Sequence, residues 1–199
     1  MKNNFKHIFS PLTINGMTLP NRVVMMPMGS DFAGHTGELS DEHIKYYELR
    51  ARGGTGLIIV ENVCVKYPEG SNGTTQLRID KDCYIPRLFN LTETCHKYGA
   101  CMGVQLNHAG ASAMSSRIGM QPVSASTLPS KEGGERPRPL TREELESIAK
   151  DYGAAARRAG SGQRKKEQNR QKAFHKLFAS FFVWPKRGKI HPNAANSPS

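Results

Sequence analysis

The sequence predicts an α/β chain: part of a (β/α)8 barrel, made of an N-terminal hairpin and about three βα units, followed by a basic tail outside the barrel. Three observations lead there. Unbroken apolar runs alternate with amphipathic helical stretches, and the links from helix back to strand are short, as successive parallel strands require. A tight-turn signal stands ahead of the first unit. After Gly160 the composition changes abruptly: nine Lys or Arg stand against Glu167 alone, a net +8 out of the formal +11 of the 199-residue chain.

Each element has its own signal. In "LTINGMTL" the pair Asn15-Gly16 sits between two short alternating runs, which predicts a hairpin because both central residues of such a turn need positive φ. "RVVMMPM", Arg22 to Met28, predicts a strand buried on both faces. Ser40 offers an N-cap, Asp41 and Glu42 occupy the first turn, and Ile44, Tyr47 and Ala51 mark one face of a helix that ends at Gly53. "GLIIVENV", Gly56 to Val63, is the second strand, and Tyr84 to Tyr98 carries Ile85, Leu88, Thr92 and Cys95 on one helical face before Gly99. "ACMGVQL", Ala100 to Leu106, is the third strand. After a loop rich in Ser, Pro and Gly, Thr141 and Glu144 form a capping box ahead of Leu145, Ile148, Tyr152 and Ala156. A fourth strand should follow.

Several classes are disfavoured. Cys64, Cys83, Cys95 and Cys101 lack CxxC spacing and the seven histidines make no metal-binding pair, so neither a zinc site nor a disulfide framework is supported. No metal site is expected, and reduced thiols fit a cytoplasmic protein. The N-terminus meets Ser10, Pro11, Thr13 and Asn15 before any apolar run of signal-peptide length, and no apolar run approaches membrane-spanning length. Nucleic-acid binding has no recognisable module behind it. "RGGTG" looks like a phosphate loop, but it follows a helix and precedes a strand, so it is read as a turn.

In a parallel barrel the chemistry gathers beyond the strand C-termini, which directs attention to Pro27, Met28 and Gly29, then Glu61 and Asn62, then Gln105, Asn107 and His108. From spacing alone Gln105 is either a polar residue satisfied in the barrel interior or a ligand-facing amide. His108, with no visible acid or base beside it, reads as a loop histidine.

"FSPLTINGMTLPNRVVMMPM", "IKYYELRARGGTGLIIVENV" and "GVQLNHAG", in that order, resemble the N-terminal half of the Old Yellow Enzyme family, FMN-dependent TIM-barrel NADH:flavin oxidoreductases that include 2,4-dienoyl-CoA and 2-enoate reductases. The resemblance runs from about Phe9 to Ala159. It implies an FMN-binding barrel part over residues 1–160 and a separate basic tail over 161–199. It also implies that main chain at Met26, Pro27, Met28 and Gly29 passes along the flavin, that Asn62 lies beside the pyrimidine, and that the Gln105 amide pairs with a flavin carbonyl and ring nitrogen. The implied reaction is hydride transfer from NADH or NADPH through FMN to an enone or enoate. Iron-sulfur ligands, where relatives have them, would lie beyond the end of this chain.

Two departures touch the site. Gly29 stands where the family often has Cys or Thr near the flavin N5, and Ala111 stands where an Arg usually follows "HAG". A third touches the architecture: "SGQRKKEQNRQK" occupies the place of the fourth strand, with its substrate-holding His/Asn pair, and no residue is assigned as catalytic. The expectation is therefore a truncated or frame-shifted, inactive member whose tail is disordered or helical. Phe174, Leu177, Phe178, Phe181 and Phe182 fall on one helical stripe among basic residues, which leaves a rival reading: a non-catalytic interaction protein using a basic amphipathic helix on a membrane or partner.

Overall fold

The computed structural model describes residues 5–14 and 17–161. Strands β1 (Leu12–Ile14) and β2 (Met17–Leu19) pair antiparallel with Leu12 opposite Leu19, so the predicted hairpin strands are present, while the Asn15-Gly16 turn itself lies outside the described residues. The basic tail beyond Ser161, including the Phe174 to Phe182 stripe, also lies outside them.

A parallel sheet follows, in the order β3 (Val24–Met25), β4 (Leu57–Cys64), β5 (Cys101–Asn107), linked by helices α1 (Asp41–Arg52) and α2 (Ile85–His96). The Ser40 side chain accepts the His43 amide proton at 3.0 Å, so the predicted N-cap is made. A single turn of 3-10 helix, Asp82–Tyr84, leads into α2, where Pro86 occupies the first turn without sacrificing a bond. The glycine turn after α1 is structural, as expected. Gly54 has φ +88°, and a Cβ on Gly56 would come within 2.5 Å of Asn21 Oδ1 and 2.8 Å of Asn21 O. Asn21 in turn donates to Gly54 O at 2.8 Å, which ties the entry of the first strand to the entry of the second.

Past β5 come a four-residue helix α3 (Ser115–Ile118), a two-residue parallel pairing of β6 (Val123–Ser124) with β7 (Arg138–Pro139), and the long helix α4 (Arg142–Ser161). The β6–β7 pairing is not foreseen from sequence, because runs this short and proline-rich carry no periodicity. The capping box of α4 is reciprocal: Thr141 N donates to Glu144 Oε2 at 2.8 Å and Glu144 N to Thr141 Oγ1 at 3.2 Å.

Residues alternate in loyalty along the strands. Ile58, Val60, Met102 and Val104 face the helices and join Tyr47, Ala51, Leu91, Cys95 and Ala155 in the main core. Leu57 and Cys101, at the strand starts, face the other way and pack with Met17 and Leu19, so the hairpin covers the N-terminal end of the opposite sheet face. Among the described residues no helix joins that second cluster on the rest of the face.

One expectation fails. The first strand, predicted as buried over Arg22 to Met28, is only two residues long, and Val24, Met26 and Met28 are 39%, 53% and 60% exposed. The reason is topological: β3 is an edge of the described sheet, and apolar composition cannot bury a strand that has one neighbour.

Candidate functional site

At the C-terminal ends of β4 and β5 the pairing loses its regular step. Val60 lies opposite Val104 and Val63 opposite Leu106, so Glu61 and Asn62 together face the single position of Gln105. Strict alternation would turn Asn62 toward the helices with Ile58 and Val60. The extra residue shifts the phase, and Asn62 lines the same cavity as Gln105 on the open side of the sheet.

This cavity measures about 570 Å³, within the usual range for a ligand site. Gly29, Asn62, Gln105 and Asn107 form its wall at the strand ends. The opposite wall is the loop Asn72–Gln76, joined by Arg117 of α3. That loop is built on one buried amide: Gln76 Oε1 accepts from Asn72 N at 2.8 Å and from Ser71 Oγ at 3.1 Å, and its Nε2 donates to Asn62 O at 3.2 Å. The Gln76 amide therefore locks the loop to the bulge, and with three of its bonding sites used it can stay 6% exposed without a desolvation loss.

Behind the bulge Glu61 is 2% exposed and fully partnered. Its Oε1 accepts from Ser30 Oγ at 2.6 Å, His43 Nε2 at 2.8 Å and Tyr47 OH at 3.2 Å, and its Oε2 accepts from Ser30 N at 2.7 Å. Tyr47 OH also accepts the Glu61 amide proton at 3.0 Å. Burial opposes ionisation of Glu61, yet the bonds from His43 and Ser30 outweigh it and hold the carboxyl below its ordinary range. Burial, together with the nearby Glu61, pushes the Tyr47 phenol up, so it stays neutral and can donate. Glu61 thus joins the segment carrying Gly29 to the strand carrying Asn62.

His108 proves to be a clamp for the loop after β5. Gly110 N donates to its Nδ1 at 3.2 Å, which leaves the Nε2 proton for Glu69 Oε1 at 3.3 Å. Burial lowers its pKa, with Glu69 opposing, so the neutral tautomer suits this arrangement.

Of the sequence-derived residues, Gly29, Asn62, Gln105 and Asn107 meet at one cavity, while Met26, Pro27 and Met28 lie in the segment between β3 and Gly29 and do not line it. Sequence reasoning missed Asn72, Thr74, Thr75, Gln76 and Arg117. Asn72 to Gln76 sit in a loop and Arg117 in a helix of four residues, all too short for periodicity, and the closing of residues 71–76 around Gln76 sets the loop as a wall beside Arg117. Chemically, the strand-end wall offers paired donor and acceptor amides suited to a planar heterocycle with alternating carbonyls and ring nitrogens.

The family model for the NADH:flavin oxidoreductase / NADH oxidase family matches residues 7–163. The chain is 43% identical over 157 residues to an NADH oxidase of Thermoanaerobacter brockii, covering 78% of this chain and 24% of that protein. It is 36% identical over 152 residues to an NADPH dehydrogenase of Clostridium acetobutylicum, covering 76% of this chain and 44% of the other. Among solved structures, the old yellow enzyme homologue from Zymomonas mobilis superposes with a TM-score of 0.68 at 27% identity, over 78% of this chain and 45% of its own. The chain thus spans less than half the length of the relatives it matches. A match that runs from before the hairpin to the end of α4 takes in every described element, and on that ground the chain belongs to the NADH:flavin oxidoreductase / NADH oxidase family, whose barrel it builds in part.

Proposed function

We propose that this chain carries the flavin-ring end of an FMN-dependent NAD(P)H oxidoreductase of the ene-reductase type. The observation that carries the reading is the meeting of Gly29, Asn62 and Gln105 at one cavity beyond the strand C-termini. These residues fit a flavin ring. Gln105 is exposed into the cavity and makes no side-chain bond in the described structure, so its amide is available to a carbonyl and a ring nitrogen. Asn62 lies beside it with its main-chain carbonyl already tied to Gln76. A Cβ on Gly29 would stand 3.4 Å from Asn62 Oδ1, so the glycine keeps the approach to that amide clear. Met26, Pro27 and Met28 would contribute main chain alone.

FMN held by Gln105, Asn62 and the main chain at Gly29 would supply hydride-transfer chemistry between NADH or NADPH and an α,β-unsaturated carbonyl compound. The chain's residues hold the ring by its polar edge and fix its orientation through the locked bulge. No histidine lines the cavity among the described residues, so the acceptor's carbonyl finds no neutral or cationic imidazole here to polarise it.

The test compares the 199-residue chain with a version continued in frame from Ala159 through a relative's remaining strands. The short chain is expected to lose FMN on gel filtration and to show no enone-dependent NADH oxidation under anaerobic conditions. The continued version is expected to be yellow and active, and in it Gln105→Leu should weaken FMN binding by about tenfold, the loss expected for a pair of amide bonds to the ring. A colourless continued version would sink the reading, and turnover by the short chain would overturn the expectation of inactivity.

A further inference from the structure

The cavity has a second end that the flavin reading does not use. Arg117 is fixed by one side-chain bond, Nη1 donating to Asn72 O at 3.0 Å, and it forms no ion pair among the described residues. Among the described residues its other N–H donors have no partner, and it is the cation lining the cavity. Beside it the Asn72–Thr75 segment offers an amide and two hydroxyls, held in place by buried Gln76. Asn107, at the end of β5, reaches Asn72 Oδ1 at 3.4 Å and links this wall to the strand that carries Gln105. At Gly73 a Cβ would already touch Arg117 Nη1 at 3.6 Å, so a longer side chain there would cover the guanidinium. Among the described residues the acidic lining residue, Asp31, belongs to the Gly29 end.

From this arrangement we infer that the Arg117 end of the cavity is an oxyanion subsite, which takes the carboxylate of an acidic acceptor and so selects enoates over neutral enones. The inference rests on the flavin reading for its link to the reaction, and on Arg117 for the subsite itself. A guanidinium presents a planar fork that matches a carboxylate or phosphate in two parallel bonds. Arg117 is exposed, so water and salt screen the charge and the selectivity rests on the paired bonds of the fork. A neutral ester or ketone of the same shape gains neither charge nor the second bond.

The experiment is an NMR titration of the 15N-labelled 199-residue chain, followed at the Arg117 Nε–Hε signal and at the amides of Gly73 to Thr75. But-2-enoate should give a saturable shift there, and methyl but-2-enoate should bind at least about tenfold more weakly, the loss of one charged hydrogen bond. Arg117→Gln should erase the difference and Arg117→Lys should keep part of it, with amide dispersion elsewhere unchanged because the residue is exposed. Equal binding of acid and ester, retention of acid binding in Arg117→Gln, or the absence of a saturable shift each overturns the subsite. Riboflavin, FMN and inorganic phosphate form the second arm. If FMN outbinds riboflavin and Arg117→Gln removes that advantage, the oxyanion is the cofactor's phosphate and the assignment to substrate falls. Riboflavin shifts at Gly29, Asn62 and Gln105 report on the flavin reading separately, so failure of one is distinguishable from failure of the other.

Discussion

Glu61 shows what one buried carboxylate does for this site. It accepts from three side chains and one main-chain amide, and its removal would take the partner from Ser30 N and leave His43 Nε2 with Ser30 Oγ alone, at 2.9 Å. Glu61→Ala is expected to cost about 3 kcal/mol, since it removes several hydrogen bonds to one buried carboxylate, each worth about 1.5–3 kcal/mol. Because the folded-state pKa lies below the ordinary 4.5, the stabilisation is whole above that pH and is lost as pH falls through the lowered value. Urea midpoints measured from neutral to acid pH should therefore fall in the wild type, with a smaller fall in Glu61→Gln. Equal slopes would show that Glu61 is not the linked group. The sequence marked Glu61 as a strand-end residue and nothing more, because its partners Ser30, His43 and Tyr47 come from other segments.

At the scale of elements, local signals were reliable where the chain satisfies itself within a few residues. The cap at Ser40 and the capping box at Thr141 form as read. Thr141→Ala is expected to cost about 1 kcal/mol, the usual loss of an N-cap oxygen, seen as a lower denaturant midpoint with the m-value unchanged. The α1–β4 turn depends on tertiary contact instead. Gly56→Ala drives a methyl to 2.5 Å from Asn21 Oδ1, which must displace the Asn21 bonds to Gly54 O and Val23 N. A loss of about 1–3 kcal/mol follows. Asn21→Ala made together with it should cost less than the two losses added, since the same contact is removed twice. The bulge at Glu61 and Asn62 had no local signal at all, since a two-against-one pairing exists only once β5 is alongside.

For the molecule as a whole, the described sheet has two edges and one face only partly covered. The helices bury one face and the hairpin covers the strand starts on the other, while β3 and the segment after it present Val24, Met26 and Met28 to solvent. An apolar, unpaired parallel edge promotes strand addition between chains. The 199-residue chain is therefore expected to associate with rising concentration, and Val24→Lys should raise the concentration at which light scattering appears. No change with Val24→Lys would place the association elsewhere. By itself the sequence determined the hairpin strands, the three βα units, the helix caps and the amides at the strand ends, since each rests on periodicity or on bonds between near neighbours. It also carried the family. Only the tertiary structure decided which strand-end residues share a cavity, how a bulge turns Asn62 toward Gln105, and why a strand of strongly apolar composition lies exposed. Those outcomes depend on partners far along the chain, and a residue's own neighbours hold no information about which distant segment will stand beside it.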